Sequence, residues 1–219
     1  MISSGPPPKG DSPEIIRDKV KNNSMQKQTI QQTVDEILSL YQNHGNEDYI
    51  GEPVSQIEHM CQCAQLAEAA GASDDLILAA FFHDIGHLYE FAFPEKKLQN
   101  MDGAGVVDHE KLGAEYLVNK GFAKKIARLV QSHVQAKRYL TFKYPEYFNQ
   151  LSEASIKTLG FQGGVMTAAE AKAFERDPLS AQYVQLRRWD EQAKETAKPL
   201  PSLDYYKQMM IAHLQERQS

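Results

Sequence analysis

The sequence predicts an all-α protein that forms a single domain. Apolar residues recur three or four positions apart through most of the chain, as they do along one face of a helix. No stretch of useful length alternates apolar and polar residues as a half-buried strand would, and no internal repeat is visible. Residues typical of helix ends separate the periodic segments. The length of 219 residues fits one domain with an N-terminal extension.

The N-terminal segment differs in composition from the rest of the chain. Residues 1–24 are rich in Pro, Gly, Ser and Lys, which predicts a disordered tail before a domain spanning residues 25–219. The segment has no apolar core of a signal peptide, and Met25 is a candidate internal start. The first predicted helix runs from Lys27 to His44, and Gly45 follows as its stop signal.

The next two predicted helices contain the most unusual stretch of the chain. Pro53 fits the first turn of the second helix, which Gly71 ends. Ser73 is the predicted cap of the third helix, "DDLILAAFFHDIGHLYE", in whose first turn two Asp residues complement the helix dipole. Gly86 stands where this third helix is expected to end.

The second half of the chain predicts further helices after one loop. Residues 91–108 contain Pro, Gly and Asn without a clear period, so we expect a loop there. The helices predicted after it are 109–119 capped by Asp108, 123–137, short turns through 148, 152–161, one opened by a Thr167-x-x-Glu170 capping box, about 178–194, and 203–214 capped by Ser202.

Composition excludes several classes of function. The net charge of −5 argues against a nucleic-acid-binding protein, which needs a basic face. No window of 18 apolar residues is present, so no membrane span is predicted. Cys61 and Cys63 are too close for an ordinary disulfide, which fits a reducing compartment, and we expect a cytoplasmic protein. The sequence leaves the oligomeric state open.

The pair His83-Asp84 predicts a metal site. It follows an apolar run, and burying a charge costs several kcal/mol unless the charge is paired or bound to a metal. The two oxygens of Asp84 are able to bridge two metals, and His87 lies one turn after His83. Imidazole and carboxylate ligands suit Fe, Mn or Zn. The candidate ligands on helices along the chain are His59, His83, Asp84, His109, His133 and Asp190.

The pattern H…HD…H…H…D resembles the HD-domain superfamily of helical metalloproteins. Five motifs, in order, resemble its mixed-valent diiron oxygenases, kin to myo-inositol oxygenase: "DYIGEPVSQIEH", "FFHDIGHL", "SHVQAKRYL", "LSEASIKTLGFQGG" and "RRWDE". The resemblance covers about residues 27–200. It implies an Fe(II)/Fe(III) pair and O2 as co-substrate. His59, His83, Asp84 and Asp190 would hold the first iron, and Asp84, His109 and His133 the second.

The resemblance also implies roles around the irons. Tyr49 would occupy the first iron until substrate arrives, and Glu52 would bind the amino end of the substrate. These two residues and His87 are the implied catalytic residues. The implied contacts to the substrate are made by Glu52, His87, Lys137, Ser155, Gln162 and Arg187, of which His87, Lys137 and Arg187 would grip the anionic end.

The implied reaction is O2-dependent cleavage of the C–P bond of a small 1-hydroxy-2-(substituted amino)ethylphosphonate. The products would be phosphate and either glycine or glycine betaine, because a primary amine and a trimethylammonium group both remain open. An aromatic cage from residues 89–93 or Tyr139 would favour the quaternary form. The insert at residues 90–108 is expected near the mouth of the pocket.

Two alternatives remain at this point. The same ligands in a phosphohydrolase would hold Mn, Mg, Zn or Fe, with Lys137 and Arg187 clamping a phosphate ester. The other alternative is a helical binding module without a metal. The motif "DYIGE" and the additional pair His109 and His133 favour the oxygenase over the phosphohydrolase, and intact ligands at every matching position argue against the module without a metal.

Overall fold

The computed structural model describes residues 13–49, 51–93 and 98–218, and it confirms the all-α prediction. Within these ranges no strand forms; two isolated bridges pair Asp48 with Ser55 and Asn100 with Val106. Eleven helices occur in the described residues: α1 Pro13–His44, α2 Gln56–Ala69, α3 Asp74–Phe82, α4 Ile85–Ala92, α5 His109–Asn119, α6 Lys124–Lys143, α7 Pro145–Phe148, α8 Glu153–Phe161, α9 Ala168–Glu175, α10 Ser180–Gln192 and α11 Leu203–Glu216.

The start of α1 differs from the prediction. The helix begins at Pro13 rather than at Lys27, so the backbone of residues 13–24 is helical where a disordered tail was expected. Proline is well suited to the first turn of a helix, because its missing N–H would have no intrahelical partner there. The remaining part of the predicted tail, residues 1–12, lies outside the described residues.

The start of α2 also differs, and for a reason that is visible in the sequence. The helix begins at Gln56, three residues after Pro53, and its cap is Ser55. The Ser55 hydroxyl accepts the backbone N–H of Glu58, and the Glu58 carboxylate accepts the backbone N–H of Ser55 at 2.7 Å. This capping box satisfies two backbone donors that a proline start would leave free.

The predicted third helix is in fact two helices. α3 ends at Phe82, His83 and Asp84 form a turn, and α4 begins at Ile85, so the expected stop at Gly86 is wrong. The Tyr41 hydroxyl donates to the carbonyl of Phe81 at 2.9 Å, so a residue of α1 occupies an acceptor in the last turn of α3. His83 and Asp84, which form this turn, are buried in the protein interior.

Most other element boundaries follow the sequence. The caps expected at Ser73, Asp108, Thr167 and Ser202 stand where the structure has them. α6 continues to Lys143, beyond the expected end near Lys137, while α10 ends at Gln192, just before the expected Lys194.

The core is built around α3. Every residue from Leu76 to Phe82 is buried, and α1, α2, α6, α10 and α11 pack around this helix. Phe81 stacks on Tyr41 with ring centroids 4.4 Å apart and on Tyr206 at 4.2 Å. Burying one such side chain stabilises the fold by roughly 1.5–3 kcal/mol. The turn that follows α3 is therefore attached to a fully buried helix of the core.

None of the helices in the described ranges carries an apolar run long enough to cross a membrane.

Candidate metal centre

Six buried His and Asp side chains converge where α3 ends. They come from five separate segments, so tertiary packing alone brings them together. The residues are His59 on α2, His83 and Asp84 between α3 and α4, His109 on α5, His133 on α6 and Asp190 on α10.

Asp84 lies between two pairs of histidines. Its Oδ2 is 3.5 Å from Nε2 of His59 and 3.3 Å from Nε2 of His83. Its Oδ1 is 3.3 Å from Nε2 of His109 and 3.4 Å from Nε2 of His133. Each carboxylate oxygen thus faces one pair, which is the arrangement of a carboxylate that bridges two metals.

The backbone sets the tautomer of all four histidines. The Nδ1 atom faces a backbone carbonyl in each case: Ala193 at 3.0 Å from His59, Ala80 at 2.8 Å from His83, Val106 at 3.3 Å from His109 and Val130 at 2.7 Å from His133. A carbonyl only accepts, so Nδ1 carries the proton. In the neutral ring, Nε2 then presents a lone pair, as it does in protein metal sites where a backbone acceptor orients the ligand.

These lone pairs face one another across short distances. The Nε2 atoms of His59 and His83 are 3.0 Å apart, and those of His109 and His133 are 3.2 Å apart. Only a shared proton or a metal cation satisfies two such lone pairs. Two nitrogens that lie about 2.1 Å from one metal at right angles are about 3 Å apart. The donor set therefore fits two metal ions, one for each pair.

Asp190 supplies a further oxygen to the first pair. Its Oδ1 is 3.4 Å from Nε2 of His59 and 3.9 Å from Nε2 of His83, and it is a buried oxygen without a hydrogen-bond partner among the described residues. Its Oδ2 accepts from the guanidinium of Arg187. Burial opposes ionisation of Asp190, but Arg187 and His59 hold its pKa well below the usual range. An ionised, half-satisfied carboxylate is suited to a cation.

Arg187 is itself held by several groups. Its Nε donates to the Tyr147 hydroxyl at 3.0 Å, its Nη2 donates to Oγ of Ser155 at 3.4 Å, and its guanidinium pairs with Glu191. The residue is buried and lines the central cavity. Arg187 therefore orients the carboxylate of Asp190, in addition to offering positive charge to the cavity.

His87 has the opposite tautomer from the four histidines above. Its Nδ1 accepts the backbone N–H of Val106 at 3.2 Å, so in the neutral ring the proton is on Nε2. Burial and the neighbouring His109, on which His87 stacks at 3.9 Å, lower its pKa well below the usual value. His87 is accordingly a neutral hydrogen-bond donor in the cavity wall. Gly105 makes this packing possible, because a Cβ there would lie 2.5 Å from the His87 ring.

Gly86 permits a second close contact at the centre. A Cβ at this position would lie 2.0 Å from the backbone oxygen and 2.7 Å from the carbonyl carbon of His109. The first turn of α4 therefore touches the backbone of α5 at the residue that carries one of the histidine rings.

A cavity opens beside these residues. Tyr49 lies in its wall and stacks on His59 with ring centroids 3.9 Å apart, while burial, followed by the charges of Asp84 and Asp190, raises the pKa of the phenol well above its usual value. The Nζ of Lys137 donates to Thr158 at 2.9 Å. Burial, followed by the charge of Arg187, lowers the pKa of Lys137 to about 7.

All thirteen site residues predicted from the sequence meet in this region. Eleven of them line the cavity, and His59 and His83 lie directly behind it: the lining members are Tyr49, Glu52, Asp84, His87, His109, His133, Lys137, Ser155, Gln162, Arg187 and Asp190. The insert also reaches the cavity, through Met101, Ala104 and Gly105. Their chemical roles stay predictions.

The aromatic cage suggested by the sequence is wrong. The Tyr139 hydroxyl donates to Glu175 at 2.8 Å and its ring stacks on Phe174, away from the cavity. Among the lining residues that the structure describes, Tyr49 is the only Phe, Tyr or Trp.

Sequence reasoning missed three residues that contact the predicted ones. They are Tyr147 beside Arg187, Thr158 beside Lys137, and Lys194, whose Nζ lies 2.7 Å from Glu52. Each contact spans 21 residues or more of the chain, and the local sequence carries no signal for it.

Comparisons with known proteins agree with this geometry. Residues 57–186 match the HD domain family. The chain is 45% identical over 209 residues to the uncharacterized protein L432 of Acanthamoeba polyphaga mimivirus, covering 93% of each chain. It is 42% identical over 173 residues to the [1-hydroxy-2-(trimethylamino)ethyl]phosphonate dioxygenase (glycine-betaine-forming) of Leisingera caerulea, covering 79% of this chain and 85% of that protein. It is 41% identical over 173 residues to the hydroxymethylphosphonate dioxygenase of Gimesia maris, covering 79% and 84%.

The buried His and Asp clusters are of the kind that holds two metals in HD domains. The chain therefore belongs to the HD-domain family, in which it is related to phosphonate dioxygenases at 41–42% identity.

Proposed function

We propose that the chain is a diiron dioxygenase that uses O2 to cleave the C–P bond of a small 1-hydroxyphosphonate. The observation that carries the proposal is Asp84, whose two oxygens each face the Nε2 atoms of a pair of histidines. A 2-amino- or 2-trimethylammonio-substituted 1-hydroxyethylphosphonate would give glycine or glycine betaine plus phosphate. Hydroxymethylphosphonate, the substrate named for one relative, lacks the cation and would give formate plus phosphate.

Two irons, one Fe(II) and one Fe(III), would supply Lewis acidity for the substrate hydroxyl and the electrons that activate O2. His59, His83, Asp190 and Oδ2 of Asp84 would hold the first. His109, His133 and Oδ1 of Asp84 would hold the second. The protein groups supply positions for the substrate, while the redox chemistry belongs to the metals.

Five side chains of the cavity wall fit the anionic end of the substrate. Lys137 has a pKa near 7 in the free protein, and a phosphonate beside it would favour the charged ammonium. Neutral His87 offers its Nε2–H to a phosphonate oxygen. Ser155 and Gln162, which line the same cavity, offer further hydrogen bonds, and Arg187 adds fixed positive charge.

Tyr49 fits the role of a residue that covers the first metal before substrate binds. It lies on the loop between α1 and α2, packed face to face on His59. A phenol whose pKa is raised by burial becomes a metal ligand only when the metal itself displaces the proton. Movement of this loop would then exchange the phenol for the substrate oxygens.

The experiment is turnover under defined O2. Iron-loaded protein is mixed with hydroxymethylphosphonate or 2-amino-1-hydroxyethylphosphonate, and phosphate release is measured together with O2 consumption. The proposal predicts one phosphate per O2 for at least one of these compounds. Release of phosphate from phosphate esters without O2 uptake would instead support the phosphohydrolase.

A further inference from the structure

The carboxylate of Glu52 is already paired. Glu52 lines the cavity, and its Oε1 accepts from Nζ of Lys194 at 2.7 Å. The side chains are only 9% and 16% exposed, so the pair is largely shielded from solvent. Lys194 follows α10 four residues after Asp190, and it is not among the cavity-lining residues that the structure describes. It therefore contacts Glu52 without being one of the described lining residues itself.

This pair changes what Glu52 offers to a substrate. A lone carboxylate attracts an ammonium group as an ion, but a carboxylate neutralised by lysine offers it only an ion–dipole interaction. A cationic substrate end would have to separate Lys194 from Glu52, or would lie near an existing ammonium group. Either arrangement reduces the gain from bringing a second cation into the cavity.

The rest of the cavity wall agrees with an uncharged substrate end. The apolar part of the cavity lining consists mostly of small residues: Met101, Ala104, Gly105, Val134 and Ala154. Tyr49, the only Phe, Tyr or Trp among the described lining residues, has one face covered by His59. A quaternary ammonium group is normally enclosed by several free Phe, Tyr or Trp faces, which the described part of the lining does not offer.

We propose that Lys194 is a specificity-determining residue, whose ion pair with Glu52 makes the site favour 1-hydroxyphosphonates that carry no cationic amino group. This inference rests on the proposed function, because it concerns the same cavity. Hydroxymethylphosphonate is the simplest compound of the favoured class.

The test uses two phosphonates that bind without turnover. In n-propylphosphonate a methyl group replaces the ammonium group of 2-aminoethylphosphonate, so the ratio of their dissociation constants measures the preference for the cation. Calorimetry on anaerobic, iron-loaded protein gives this ratio for wild type, Lys194→Met and Lys194→Arg. Lys198→Met is a matched control, because Lys198 pairs with Glu195 nearby on the surface.

We expect the wild type to bind n-propylphosphonate at least as tightly as 2-aminoethylphosphonate. Lys194→Met, which unmasks the charge of Glu52, should shift the ratio about tenfold towards the amino compound. Lys194→Arg and Lys198→Met should keep the wild-type ratio. In turnover assays, the kcat/KM of the wild type should be higher for hydroxymethylphosphonate than for 2-amino-1-hydroxyethylphosphonate.

The outcomes separate this inference from the proposed function. A wild type that binds the amino compound about tenfold more tightly overturns the role of Lys194, even if Lys194→Met does not fold. An unchanged ratio in Lys194→Met, with binding retained, does the same and leaves the phosphonate site in place. Failure of every variant to bind either phosphonate overturns the phosphonate site itself, and this inference with it.

Discussion

Replacement of Gly86 by alanine should remove one metal from the centre and leave the other. The added Cβ would lie 2.0 Å from the backbone oxygen of His109, and ordinary van der Waals contact begins near 3.4 Å. The obstacle is backbone, so no rotamer change relieves it, and α4 and α5 must separate by about 1.4 Å. Metal–ligand distances tolerate about 0.2 Å. His109 would therefore leave the second metal, while His59, His83 and Asp190 stay in place.

The magnitude of the effect follows from this displacement. Overpacking of a buried contact costs about 1–3 kcal/mol, which for a chain of this size lowers Tm by about 2–12 °C. Loss of a correctly placed ligand should weaken the second metal by at least about 10–100-fold. We expect the purified variant to hold about one metal per chain where the wild type holds about two.

The assay is metal analysis by mass spectrometry together with thermal unfolding. Gly160→Ala in α8 is the matched control, because a Cβ there meets nothing within 4 Å. Alanine is favoured over glycine inside a helix by about 0.5–1 kcal/mol, so this control should keep its metals and unfold at the same or a higher temperature. Two metals and an unchanged Tm in Gly86→Ala would refute the proposed coupling between α4 and His109.

Other predictions concern the bridge, its support, the pH dependence and a helix cap. Asp84→Ala should lose both metals, because one carboxylate faces both histidine pairs; metal content near two per chain would contradict the bridge. Arg187→Lys should weaken the first metal by about 10–100-fold in a chelator competition, since lysine cannot reproduce the contacts that orient Asp190. Lys137 has a pKa of about 7 and is mostly neutral at pH 8, so binding of a phosphonate should take up a proton and affinity should fall as pH rises through 7; calorimetry in two buffers should find this uptake absent in Lys137→Met. Ser55→Ala should lower the free energy of unfolding by about 1 kcal/mol in urea titrations through loss of the α2 cap.

The metal-site residues could be predicted because their chemistry conflicts with their surroundings. A polar, ionisable dipeptide after seven buried apolar residues needs partners, and the carboxylate of Asp84 finds them in the histidines of the centre. The other metal ligands were predicted from the family motifs that surround them. The capping box of α2 is equally visible in the sequence as Ser55-x-x-Glu58, although Pro53 predicts an earlier start of the helix.

Other features depend on contacts that local patterns do not carry. The break between α3 and α4 accompanies the hydrogen bond from Tyr41 to Phe81, forty residues away. The pair of Glu52 and Lys194 joins residues 142 positions apart. The close approach of Gly86 to the backbone of His109 is a tertiary contact. From the sequence alone, a glycine after an apolar run equally predicts the end of a helix.

The most direct test of the central claim is the iron content and the EPR spectrum of partially reduced protein, with and without hydroxymethylphosphonate. We predict about two irons per chain and a spin-coupled Fe(II)/Fe(III) signal that changes when the phosphonate is added. A single Mn, Mg or Zn ion per chain, or iron without a mixed-valent signal, would contradict the dioxygenase and favour a phosphohydrolase.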